Sequence, residues 1–380
     1  MLGDGAGRIV LVPQQAPCYT EATFTDRGET MHLTVITDAR GRKRYLDFQR
    51  GLYQGDPCYV STSSFVLREL LDQTTPFARA CRVTPVLVEE DGRVLAQAML
   101  LHHPGLPALQ VSFFEALEGQ RGAVELLLSQ AKERARRLGL SRVVIGLNAH
   151  ISYGVGILTA GFSHKNTFDS LYNKPYYGDY FQGLRRDTLS TYRGERRAAA
   201  RRLPQTAPAV EVCRCDLRQF YRETERMRAL CEQTIGKTHL YFPTQEGHFY
   251  HLMKALRPFL RDEHLLFARN RAGEDVGFLF WHPDFNEMLS GGREHSLPAI
   301  GAAWLFKRKR ITTAKLNAIG SRSPAATVAL LRTFNRLAGE RYPWLETNFV
   351  WDNNLPSTRL NRHLLGEPHR KYEVYWIDGL

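Results

Sequence analysis

Residues 311–375 constrain the fold more than any other part of the chain. Ile311–Ile319 predicts a strand, which runs into Gly320-Ser321-Arg322-Ser323-Pro324-Ala325-Ala326, a turn rich in small residues. A helix over Thr327–Arg341 follows. The apolar run Leu345–Trp351 ends in Asp352-Asn353-Asn354, a helix-like stretch reaches Gly366, and Lys371-Tyr372-Glu373-Val374-Tyr375 forms an aromatic strand. Strand, turn, helix, strand, polar loop, helix and strand in that order predict an α/β fold.

The first half carries a similar order. Met31–Thr37 alternates apolar and polar residues and predicts a strand. Lys43–Tyr53 has helical spacing and stops at Asp56-Pro57, because proline disfavours a helical residue before it. A short helix is expected at Phe65–Leu71. Thr84–Glu89 and Arg93–Leu101 flank Asp91-Gly92, a dipeptide that tolerates the positive φ of a tight hairpin. A strand over Leu109–Ala116, an amphipathic helix over Ala123–Leu138 and a buried strand over Arg142–Leu147 complete the set. After residue 209 the order recurs: a helix over Leu217–Gly236, a second over Glu246–Leu256, and a hairpin joining His264–Ala268 to Val276–His282 around Ala272-Gly273. The expected division is an extension (1–30), a first domain (31–184), a basic linker (185–208) and a second domain (209–380).

A chain of 380 residues has ample material for two cores. Its net charge of +12 favours anionic partners: a CoA-type cosubstrate, an acidic lipid surface or nucleic acid. Seven arginines lie between Arg185 and Arg202, either on a solvated linker helix or on a face that meets phosphate or a membrane. The cysteines at 18, 58, 81, 213, 215 and 231 lack the spacing of a metal chelate and are expected as reduced thiols. His102, His103 and His363 show no metal partners in the sequence, and no metal is expected. No GxSxG nucleophile motif is present. No apolar run reaches the ~20 residues of a membrane span. Residues 1–30 do not resemble a signal peptide. A cytoplasmic protein, peripheral to the inner membrane at most, is expected, and nucleic acid is the less favoured partner for want of a helix-turn-helix signature.

In its element order, and in Leu52-Tyr53-Gln54-Gly55-Asp56-Pro57, Phe113-Phe114-Glu115, Tyr172-Asn173-Lys174-Pro175-Tyr176-Tyr177, His282-Pro283-Asp284-Phe285-Asn286 and Asp352-Asn353, the chain resembles bacterial tandem GNAT-like N-acyltransferases. The resemblance covers most of the chain from Met31. It implies two tandem GNAT-like domains, each a mixed, mostly antiparallel sheet flanked by helices. It also implies an acyl-CoA cosubstrate and an amine acceptor. The family holds the CoA pyrophosphate on backbone N–H groups at a strand-to-helix turn, where small residues and the helix dipole serve it. By resemblance that place is Gly320, Ser321, Arg322, Ser323 and Ala325, with Asn353 beside the pantetheine arm. The first half's counterpart, Glu118–Ala123, is shorter than the family signature. Asn353 and its neighbours also suit an Asx turn capping the next helix.

For catalysis the resemblance implies a carboxylate base, Glu346 with a raised pKa or its rival Asp352, and Tyr375 returning a proton to sulfur. Phe114, Glu115, Tyr172, Asn173, Tyr176 and Tyr177 are expected to line a partly apolar substrate pocket, with interdomain packing as the other reading. In general layout the chain also resembles bacterial ceramide synthase-type acyltransferases, which implies long-chain acylation of a sphingoid or other lipid amine. Acetylation of a small amine and a non-catalytic lipid- or nucleic-acid-binding module are the alternatives.

Overall fold

The computed structural model describes residues 8–12, 21–26, 29–61, 64–204 and 210–380. The first half runs β1 (Arg8–Val12), β2 (Glu21–Asp26), β3 (Glu29–Val35), α1 (Ala39–Leu52), β4 (Val60–Ser61), α2 (Ser64–Leu71), α3 (Pro76–Ala80), β5 (Arg82–Glu90), β6 (Arg93–His102), β7 (Leu109–Ala116), α4 (Arg121–Arg137), β8 (Arg142–Ile145), β9 (Ile157–Ala160) and α5 (Tyr177–Tyr180). It continues through β10 (Arg185–Glu195) and α6 (Arg196–Arg202). The second half comprises β11 (Glu211–Arg214), α7 (Phe220–Thr234), α8 (His248–Met253), β12 (Leu265–Arg269), β13 (Asp275–Pro283), β14 (Arg293–Glu294), α9 (Leu297–Lys307), β15 (Thr313–Ser321), α10 (Pro324–Ala338), β16 (Trp344–Thr347), β17 (Val350–Trp351), α11 (Leu355–Leu365) and β18 (Pro368–Asp378).

One sheet carries both halves. Its order is β1-β2-β3-β5-β6-β7-β8-β18-β10-β16-β15-β13-β12-β11, with β9 on β18 and β17 on β10. All neighbours are antiparallel except β7–β8 and β15–β16. Those two parallel pairs are the strands joined by the crossover helices α4 and α10. The expected hairpin is present: Asp91 and Gly92 take φ of 47° and 76° between β5 and β6.

Alternation along the strands builds a core on each face. In β5, Val86 and Val88 pack under α4, while Leu87 packs with Tyr45 and Leu46 of α1. In β12, Leu266 and Ala268 join the cluster under α10, while Leu265 and Phe267 face α7.

One expectation is corrected. The basic linker is not a linker: Arg185–Glu195 is a strand at the centre of the sheet, paired with β18, β16 and β17. Its middle residues Leu189, Ser190, Thr191 and Tyr192 are buried. The Arg196–Arg202 helix is likewise stapled down, with Arg196 on the Asn335 side chain (3.1 Å) and Arg202 on the Leu364 carbonyl (3.1 Å). Pro208 lies outside the described residues. The described part of residues 1–30 adds strands β1 and β2 to the edge of the sheet.

Candidate active-site cleft

The second half opens between β15 and β16. The pair runs in parallel from Thr313↔Trp344 to Leu316↔Thr347, and the Asn348 N–H closes the ladder on the Leu316 carbonyl at 2.8 Å. The chain then leaves β15, and β17 pairs with β10 instead. At the same level β15 bulges. Trp281 of β13 faces Leu316 and Phe280 faces Ala318, so Asn317 is an extra residue. From Asn317 to Ser321, β15 therefore has no strand on its β16 side.

A cavity of about 380 Å³ fills this gap. Met227 and Thr234 of α7 line it on one face of the sheet, and Leu331 of α10 and Leu360 of α11 line it on the other. The cavity thus passes between the faces. A Cβ at Gly320 would stand 2.2 Å from the Thr234 hydroxyl, so this position needs glycine. Beside it, Ser321 and Thr327 share a hydrogen bond of 2.6 Å. Ser323 caps α10 by accepting from the Ala326 N–H at 3.2 Å, and Pro324 fills the first helical turn, where its missing N–H costs nothing. The positive end of the α10 dipole is therefore presented at the small-residue turn.

No Asp, Glu, Lys or Arg is among the described residues that line this cavity. Cys231 and Tyr241 of the second half line it, and the first half adds His150 and Ser152 from the loop after β8. His150 places Nε2 3.1 Å from the Phe242 carbonyl, an acceptor, so in the neutral ring this nitrogen carries the proton. Nδ1 then accepts from the Ser152 hydroxyl (2.8 Å) and N–H (3.2 Å). His248 Nε2 lies 2.9 Å from the same hydroxyl and completes the chain as donor. Burial pushes His150 down to about 3 and His248 well below its ordinary value, so both rings are neutral at pH 7. Ala149, at φ 64°, and Gly154, at φ 107°, shape the turn that presents Ser152.

Ser152 also borders a second cavity of about 190 Å³ in the first half. It brings together Phe114, Glu115, Tyr172 and Asn173 from the expected pocket. The Glu115 carboxylate accepts from Tyr53 (2.6 Å), Tyr177 (2.7 Å) and Gln49 (3.0 Å). Burial outweighs these bonds and pushes it up to about 7.

Tyr176 and Tyr177 lie outside the lining and act elsewhere. Tyr177 accepts from the Ala116 N–H (2.9 Å), Tyr176 donates to the Ala116 carbonyl (2.9 Å), and Tyr180 accepts from the Gln120 N–H (3.1 Å). The strand-to-helix turn of the first half is thus covered by tyrosines.

The remaining expected residues separate. Gly320 and Ser321 line the cleft. Arg322 bonds Gln233, Ser323 serves as a cap, and Ala325 is exposed. Asn353 is exposed, while its neighbour Asn354 lines the cleft and accepts from the Ser357 N–H at 3.4 Å. Asp352 accepts from Ser190 (2.8 Å) outside the lining.

Glu346 departs from expectation. It is fully buried away from the cleft, 3.5 Å from the equally buried Lys315, and accepts from Thr167 at 2.7 Å. Burial raises its pKa, but the charges of Lys315 and Arg370 outweigh burial and hold it below the usual carboxylate range, not above. Tyr375 also lies apart. Its strand, β18, is inserted in the first half's sheet, where the ring packs 5.0 Å from Phe181 and the hydroxyl donates to Glu373 at 2.6 Å. His150, Ser152 and Asn317 went unread in the sequence. The glycines flanking the loop (146, 154 and 156) and a polar Asn inside an apolar strand were the available signals.

No protein-family model matches the sequence, and no curated protein matches it. Solved structures do match. A tandem GNAT protein from the clavulanic acid biosynthesis pathway aligns over 92% of this chain and 99% of its own, at 14% identity and a TM-score of 0.56. A conserved protein of unknown function from Enterococcus faecalis V583, described as a probable N-acyltransferase, aligns over 92% of this chain and 73% of its own, at 9% identity and a TM-score of 0.53. The GCN5-related glucosamine N-acetyltransferase region of a fungal multi-domain GH3 beta-N-acetylglucosaminidase also aligns over 92%, with a TM-score of 0.53 at 11% identity; this chain spans 38% of that protein's length. The protein therefore has the tandem GNAT fold.

Proposed function

We propose that the protein is an acyl-CoA-dependent N-acyltransferase that works in the cleft of the second half. One observation carries this reading: the cavity occupies the divergence of β15 and β16, between an unpaired strand edge with a bulge and the N-terminus of α10. The unpaired β15 backbone suits the amides of a pantetheine arm, and the small-residue turn at Gly320 and Ser321 suits a pyrophosphate. The acceptor is a primary amine that enters as the free base. Its lone pair attacks the thioester carbon, the N–C bond forms, and the bulge at Asn317 supplies backbone polarity to the developing oxyanion. The C–S bond then breaks.

One proton must pass from nitrogen to sulfur. In this reading Ser152 takes it while passing its own hydroxyl proton to the leaving sulfur, and the neutral His150 and His248 orient the hydroxyl without becoming charged. Glu346, Asp352 and Tyr375 have no part in this route.

Two observations bear on acyl length. The cavity is at the lower end of the ~300–1,000 Å³ of small-molecule sites, which supports a short acyl group and a small amine. The apolar lining from Met227, Phe249, Leu331 and Leu360 supports the long-chain version, acylation of a sphingoid or other lipid amine. Calorimetric titration with acetyl-CoA and palmitoyl-CoA separates them, with thiol release measured on adding an amine. Binding of neither thioester at submillimolar concentration overturns the reading. Ser152→Ala that binds normally and turns over normally removes the proton route alone.

A further inference from the structure

Helix α9 ends in Trp304-Leu305-Phe306-Lys307 and runs on into Arg308-Lys309-Arg310. Its base is anchored: Ile300 is buried, and Trp304 packs 5.7 Å from both Phe259 and Phe285. Its tip is not. Leu305 is 67% exposed and Phe306 85% exposed, the two most exposed large hydrophobic residues among those described. The four cations that follow are all exposed, and none forms an ion pair among the described residues. Two large apolar side chains held in water beside four unpaired cations have no role in the core or in either cavity.

We propose that this tip docks the protein on an anionic lipid bilayer. Leu305 and Phe306 enter the interfacial region, and Lys307, Arg308, Lys309 and Arg310 meet the lipid phosphates. An interface that is apolar at depth and anionic at its surface matches both halves of the motif. A nucleic acid backbone would satisfy the cations and leave the apolar pair in water. A second copy of the chain is disfavoured by the net charge of +12. Of the cations expected to face a membrane around Arg196–Arg202, Arg196 and Arg202 are bonded to α10 and α11, and Arg197 pairs with Glu340. The inference does not rest on the thioester reading, because vesicle binding needs no acyl donor.

The test is co-sedimentation of the full chain with vesicles of phosphatidylcholine alone or mixed with phosphatidylserine, at low and high salt. The wild-type protein is expected to pellet with the anionic vesicles and to be released by salt. Leu305→Ser with Phe306→Ser should weaken binding at least ten-fold. Replacing all four cations by Gln should weaken it several-hundred-fold, at about five-fold per charge. All these positions are exposed, so unchanged melting of the variants verifies folding. Wild-type-like sedimentation of the apolar variant overturns the proposal. So does duplex DNA binding that depends on the four cations in the absence of vesicle binding. A dimer lost in the apolar variant, without vesicle binding, assigns the tip to a second copy and also overturns it.

Discussion

Replacing Glu346 by Gln leaves Lys315 fully buried without its nearest carboxylate. Both side chains have no exposed surface and stand 3.5 Å apart. At an effective dielectric of about 20 their attraction is roughly 5 kcal/mol, and breaking a buried pair by removing one partner costs about 3–5 kcal/mol. The surroundings decide which partner matters more. After Glu346→Gln, Lys315 keeps Thr167 (2.7 Å), Ser170 and the charge of Asp284. After Lys315→Met, Glu346 and the buried Asp284 face each other with only Arg370 and the more distant Arg193 for compensation. Lys315→Met should therefore cost more than Glu346→Gln, and Lys315→Met combined with Glu346→Leu should cost less than either. Urea unfolding of Lys315→Met, Glu346→Leu and their combination at pH 7 gives the coupling energy, which should exceed the larger single loss of about 3–5 kcal/mol. With an unfolding entropy of ~2.1 cal/mol/K per residue, a loss of about 4 kcal/mol lowers Tm by about 5 °C. Additive losses in the double variant would refute the argument. Loss of turnover in Glu346→Gln at unchanged stability would restore it as a base.

Calorimetry with CoA should give one site per chain, because tyrosines cover the first half's turn; two sites would mean that this cover opens. Gly320→Val should weaken CoA binding at least ten-fold and destabilise by about 1–3 kcal/mol through overpacking against Thr234. Glu115 titrates near 7 in the folded chain against an ordinary 4.5, so the folded state holds its proton longer. Its contribution is fullest below pH 4.5 and is lost as pH rises through 7. A gap of about 2.5 pH units at ~1.4 kcal/mol each is about 3 kcal/mol. Glu115→Gln should flatten that decline in urea midpoints between pH 5 and 8, and an unchanged slope would assign it to another group.

Local signals carried much of the fold. Asp91-Gly92 announced its hairpin through positive φ values that few residues tolerate, and Ser323-Pro324 announced the start of α10 as a cap and a first-turn proline. What escaped depends on partners distant in sequence. Glu346 inside an apolar strand suggested a catalytic carboxylate, but its cation is Lys315 and its hydroxyl donor is Thr167. Arg185, Arg186 and Arg193 suggested a solvated linker, yet they pair with Asp378, Glu373 and Glu346 around a buried strand centre. Tyr375 has the aromatic character of an active-site strand, and only the sheet order places it in the other half. His150 and Ser152 belong to the first half and line the cleft of the second, which no reading of either half alone can supply.

The position of β18 has a consequence for synthesis. It pairs with β8 on one side and β10 on the other, and its register with β10 spans Arg185↔Trp376 to Tyr192↔Pro368. As the chain emerges during translation, both of those strands are made long before the strand that separates them. Until then each shows a bare hydrogen-bonding edge, and the two halves cannot close in turn as independent units. A nonsense codon between α11 and β18 would leave two sticky edges in an otherwise complete polypeptide, so loss of this short segment should appear in cells as aggregation and not as a shortened, working protein.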